Sequence, residues 1–181
     1  MNTNENAPRF TKVSLRTAAI IAGMGLLLMA ILSPIALLNT FPSLVKFDDA
    51  ALTAQNILNS MGAFRTAVLL LFVVALLDVV VAWGLYIVLM PANKNLSALA
   101  AWLRVIYAGI FIFAISKLFV AMQVLTADGV QAMSFLKAFQ NIFDKGLILF
   151  GFHQLVLGYL AFKSGYVPKW LGTFLGLAGL G

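Results

Sequence analysis

The chain has 181 residues, of which 62% are hydrophobic and 10% charged, and its mean hydropathy is +1.01. A soluble domain carries about a quarter charged residues, so this chain has too little polar surface to clothe a water-facing fold. Its formal charge of +6 does not point to nucleic acid, because the basic residues sit singly at the ends of apolar runs and do not cluster with aromatics. With no cysteine and one histidine, disulfides, thiolate nucleophiles, iron–sulfur clusters and ordinary transition-metal sites are excluded, and no cofactor motif is present.

Residues 1–16 form a polar tail in which Arg9, Lys12 and Arg16 lead into an apolar run. That run, about 17–38, exceeds the roughly 7–15 apolar residues of a secretion signal and lacks a small-residue cleavage pattern. It predicts a first transmembrane helix, with Pro34 expected to kink its outer end. A second helix is expected over about 64–90 and a third over about 96–124, after a tight turn at 91–95. The fourth, about 146–162, is bracketed by Lys145 and Lys163. At 1.5 Å per residue it measures only about 25 Å against a ~30 Å hydrocarbon core, a gap the two snorkelling lysines can close. A fifth helix from about 168 stops after roughly 18 Å, too short to span, and is expected to be incomplete. Residues 17–181 thus read as a single membrane domain.

The fold class is therefore all-α: a polytopic transmembrane bundle with interfacial amphipathic helices in the two outer connections. In 128–144, Ala132, Phe135, Leu136, Phe139, Ile142 and Phe143 recur at helical spacing behind an Asp128 cap. In 48–63 the weaker pattern is Ala51, Ala54, Leu58 and Met61 behind Asp48. The matched spacings Asp48–Arg65 and Asp128–Lys145, each followed by an apolar helix and a proline, suggest two copies of one helix–surface helix–helix unit. Basic residues favour the N-terminal side (Arg9, Lys12, Arg16, Lys94, Lys163, Lys169) over the other (Lys46, Arg65, Lys137, Lys145), so the N-terminus is expected in the cytoplasm.

Few polar residues fall within the spans. Asp78 lies mid-way along the second, among sixteen Leu, Ile, Phe and Val between residues 66 and 90. A central Asp costs about 2.5–3.5 kcal/mol on the insertion scale, which those neighbours outweigh, so the helix inserts with Asp78 turned to the bundle interior. Arg104 is its candidate partner: folding the second and third helices together leaves it ~7.5 Å off level, within reach of a long side chain, the equal alternative being that Arg104 snorkels to the inner surface. Tyr107 shares its face. If the repeat is real, His153 in the fourth helix lies at a depth comparable to Asp78, and the two could meet at the centre as a proton-handling pair. Lys117 is expected to snorkel outward. Gly151, Gly158, Gly172 and Gly176 allow close helix packing within or between chains.

The stretch Tyr86-Ile-Val-Leu-Met-Pro-Ala-Asn-Lys-Asn-Leu96, followed by Ala101-Trp-Leu-Arg104, resembles the bacterial membrane family called domain of unknown function 4386. So does Gly151-Phe-His-Gln-Leu-Val-Leu-Gly-Tyr-Leu-Ala-Phe-Lys-Ser-Gly-Tyr-Val-Pro-Lys-Trp-Leu-Gly172, and the likeness takes in Arg65 and Asp78. Lys94, Lys163 and Lys169 stand where such sequences often carry arginine. The resemblance implies a multi-helix membrane protein that continues past residue 181, and it brings no reaction or ligand with it.

Two classes of function follow. One is a non-enzymatic component of a bacterial inner membrane, with a sensing, assembly or interaction role. Its partners would be the lipid bilayer and a second copy or another membrane protein, and no nucleic acid. It requires a packed bundle with Asp78 paired. The other is a small transporter, channel or intramembrane enzyme, which requires a polar cavity around Asp78, Arg104, Tyr107 and His153.

Overall fold

The computed structural model describes residues 13–180. The expected tail with Arg9 and Lys12 lies largely outside them. Six helices follow one another, and no strand occurs among the described residues.

Helix α1 spans Leu15–Leu44 and begins on Ser14, whose Oγ accepts the Thr17 N–H at 3.1 Å. It runs past the expected end at 38. Pro34 does not terminate it; the helix widens into a π turn at Ile35–Thr40, where the Phe41 N–H donates to the Ala36 carbonyl. A proline has no N–H to bond back with, and the helix continues past it through this wide turn, where the Thr40 hydroxyl donates to Ile35 O at 2.9 Å.

Helix α2, Ala50–Asn59, is the surface helix expected in the first outer connection, with two corrections. Its cap is Asp49, not Asp48: Asp49 Oδ1 accepts the Leu52 N–H at 2.8 Å. Its buried face carries Thr53 and Ile57, while Ala51 and Leu58 of the expected face are exposed. Thr53 explains the shift. Its hydroxyl donates to Lys46 O at 2.9 Å and accepts the Lys46 N–H at 2.8 Å, satisfying the backbone of the connecting loop.

Helix α3, Met61–Leu89, follows after Ser60, and α4, Lys94–Val124, starts on an Asn93 cap. Ser97 Oγ donates to Tyr86 O at 2.8 Å and pins the turn between them. Helix α5 runs unbroken over Gly129–Lys163, 35 residues capped by Asp128. The stretch 128–144 is amphipathic as read, but it forms the first turns of α5 and not a separate surface helix. Nothing between Asp128 and Lys163 breaks a helix. Gly146, taken as the fourth helix's start, lies inside α5, where a Cβ would come 3.2 Å from Ile110 Cγ2. At 1.5 Å per residue α5 measures ~52 Å, so roughly 15 residues project beyond a ~30 Å core. Its surface changes accordingly: Gln131, Ser134, Lys137 and Asn141 are exposed in the first half, and Leu147, Ile148 and Phe152 in the second.

The two stretches read as a repeat differ in form. The first unit breaks at Ser60 (φ −130°, ψ 36°) into two helices, whereas the second is one helix throughout. Gly165, at φ 77°, turns the chain after α5, and α6 covers Lys169–Ala178. The Tyr166 hydroxyl donates to Val88 O and ties this turn to α3; partial burial raises its pKa above the ordinary phenol value.

The four long helices, α1, α3, α4 and α5, are each apolar enough to cross a membrane. They pack in an up–down order, α1 on α3, α3 on α4, α4 on α5, and α6 folds back on α5. Close approach of α1 and α3 rests on Gly84, where a Cβ would lie 2.9 Å from Ala22 Cβ. The loop end is filled by a core including Phe41, Ile57, Phe64, Leu118, Leu136 and Phe139.

Candidate functional site

Arg104 is the centre of the polar site. Burial leaves it 2% exposed, and groups from the three other long helices surround its guanidinium. From α3, Asp78 Oδ1 lies 2.7 Å from Nη2. The N–H is not aimed squarely at that oxygen, so the attraction is mainly between charges rather than through an aligned hydrogen bond. From α5, His153 Nε2 lies 3.3 Å from Nη1, and Phe150 presents its ring 5.4 Å from Cζ. From α1, Met29 Sδ lies 3.8 Å from Nη2.

His153 has only one tautomer consistent with these contacts. Its Nδ1 is 2.8 Å from the Ala100 carbonyl, which accepts only, so Nδ1 carries the proton. Nε2 is then a free lone pair, the acceptor that Arg104 Nη1–H requires. Asp78 and His153 therefore meet through Arg104 and not directly. Tyr107 is buried on the same face of α4 and contributes its ring, 4.8 Å from Phe150 and 6.0 Å from Phe111. Aromatic contacts continue from Phe111 through Phe143, Phe139 and Phe41 to Phe64, joining this site to the loop-end core.

A cleft beside His153, bounded by Leu85, Tyr86, Ser97, Ala101 and Leu157, has no room for a water molecule. A larger groove of about 650 Å³ runs between α5 and the end of α6, lined by Leu147, Ile148, Gly151, Gly179 and Leu180, with Asp144 at its edge. Phe150 borders both this groove and Arg104. Lys117 stays apart from the site, its ammonium 4.4 Å from the centre of the Phe113 ring.

Sequence reasoning picked out Asp78, Arg104, Tyr107 and His153, and the fold places them in one region. It missed Met29, Phe150 and the Ala100 carbonyl. Phe150 stands three residues before His153, a spacing that shares a helix face. Met29 carries no local signal at all. Among the glycines, a Cβ on Gly158 would fall 2.5 Å from Gly176 N, and one on Gly172 would fall 2.6 Å from Phe162 N. A Cβ on Gly151 would fall 2.8 Å from the carbonyl oxygen of Gly179, a partner not singled out beforehand. Gly176 differs: its missing side chain faces open space, and only its backbone is pressed against Gly158.

The sequence profile of domain of unknown function 4386 (DUF4386) matches residues 21–181. This chain belongs to the DUF4386 family. A relative from Archaeoglobus fulgidus, described as an uncharacterized protein, is 40% identical over 111 residues. That match covers 61% of this chain and 59% of the relative, so the likeness spans well under two thirds of the relative's length. Relatedness therefore reaches into the archaea and is not confined to bacteria. No solved structure matches.

Proposed function

We propose that this DUF4386 protein is a non-catalytic component of a prokaryotic plasma membrane, acting through its packed helix surfaces in an assembly or interaction role. The observation that carries the reading is the enclosure of Arg104. Its charge is met by Asp78, His153, Met29 and Phe150, it is 2% exposed, and the cleft beside His153 does not admit a water. A transport path or an intramembrane active site needs a polar group that solvent or substrate can reach. Here the charged group instead joins four helices, as a lock that makes one helix register cheaper than its alternatives.

A cytoplasmic N-terminus belongs to this reading, supported by the sequence excess of basic residues before the first span and in the connections on its side. Helix α1 packs chiefly on α3 and leaves Ile20, Met24, Leu27, Ile31 and Leu38 exposed, a face for lipid, a second copy or another membrane protein.

Native mass spectrometry of the detergent-purified protein tests the reading. Phospholipid adducts alone are expected on the wild type. A stoichiometric non-lipid small molecule that is lost in Asp78→Asn or His153→Ala would overturn it.

A further inference from the structure

The charges of this protein are sorted by end. In the loop half, the cations Lys46, Arg65, Lys117, Lys137 and Lys145 are largely offset by Asp48, Asp49, Asp128 and Asp144. The opposite end gathers Arg16 from the start of α1, Lys94 from the α3–α4 turn, and Lys163 and Lys169 from the α5–α6 connection. All four are exposed, and no Asp or Glu accompanies them among the described residues. Four separate segments reach one plane because the helices alternate in direction.

Two of these cations are held in a particular way. Lys163 Nζ lies 5.3 Å from the centre of the Tyr159 ring and Lys169 Nζ 5.6 Å from that of Phe162. Both rings are exposed on the flank of α5, and Trp170 beside Lys169 is 63% exposed. The exposed ammonium groups thus lie beside aromatic side chains on the flank of α5. Aromatic side chains prefer the membrane–water interface, which is the depth of lipid phosphates.

We propose that this end of the bundle is a binding surface for anionic phospholipid headgroups, centred on Lys163 and Lys169. A free phosphate would want donors converging on one point; here cations alternate with apolar rings, and Leu171 and Phe174 extend the apolar surface along α6. That pattern fits a headgroup with its acyl chains attached. The inference holds whichever side of the membrane this end faces, and it stands apart from the role of Arg104.

The test is competitive lipid retention. The protein is purified in micelles holding equal amounts of phosphatidylglycerol and phosphatidylcholine, and bound lipid is read by native mass spectrometry. One lysine at a membrane surface shifts the preference for anionic lipid about fivefold. The wild type is therefore expected to retain phosphatidylglycerol by about that factor or more. K163Q/K169Q should fall toward equal retention, while K163R/K169R and the loop-half control K137Q/K145Q should keep the preference. Equal retention by the wild type, or a loss in K137Q/K145Q matching that in K163Q/K169Q, would overturn the proposal.

Discussion

Replacing Asp78 by alanine isolates the cost of leaving Arg104 without its counter-charge. Both side chains are 2% exposed, and the charged atoms stand 2.7 Å apart, so no solvent is available to take over from the lost carboxylate. Removing one partner of a buried pair typically costs about 3–5 kcal/mol. An arginine at a helix centre costs about 2.5–3.5 kcal/mol on the insertion scale. His153 and Phe150 still contact the guanidinium, which places the expected loss for Asp78→Ala at roughly 3 kcal/mol. Arg104→Met should cost less, because a lone carboxyl group can take up a proton whereas a guanidinium cannot lose one. The double variant Asp78→Ala/Arg104→Met should lose less than the sum of the two singles by about 2 kcal/mol, since no unpaired charge is left buried. Reversible unfolding in mixed micelles, followed by fluorescence of the tryptophans that include Trp83 and Trp102, gives all four stabilities. If the two single losses simply add in the double variant, the charge coupling is absent and the lock argument fails.

The other predictions follow from single contacts. His153→Phe keeps a ring of similar size but removes both hydrogen bonds, so the same unfolding assay should register a loss of roughly 1–3 kcal/mol. Gly158→Ala presses a methyl group on the backbone of α6 and should cost about 1–3 kcal/mol, with faster protease cleavage after α5. Gly176→Ala, whose methyl meets nothing within 4 Å, should change neither readout. Asp49→Ala should lower stability by about 1 kcal/mol through loss of the α2 cap, while Asp48→Ala should stay within about 0.5 kcal/mol of wild type.

The spans were legible because lipid imposes one demand throughout: an apolar surface with every backbone group paired internally. The sixteen large apolar residues around Asp78 announce α3 with little ambiguity. Pairing of Asp78 with Arg104 was legible for the related reason that a central carboxylate needs a partner and few candidates existed. Helix ends were not. Gly146 reads as a boundary when isolated, and only the position of Tyr107 and Ile110 against it shows that it is a packing residue inside α5. Asp48 and Asp49 are equivalent as sequence signals; Thr53 decides between them by engaging Lys46 across the loop. Met29 was out of reach because its contact with Arg104 spans 75 positions and depends on how α1 is rotated against α3.

The claim on which the account rests is that Arg104 sits in a dry, packed site. The chain has no native cysteine, so one introduced thiol reports water access without background. Met29→Cys places that thiol beside the guanidinium, and Gln131→Cys places another on the exposed surface of α5. In proteoliposomes permeable to a water-soluble maleimide, Gln131→Cys should label readily and Met29→Cys should remain unlabelled until the bundle is unfolded. Prompt labelling of Met29→Cys in the folded protein would reveal a water path to Arg104 and contradict the account.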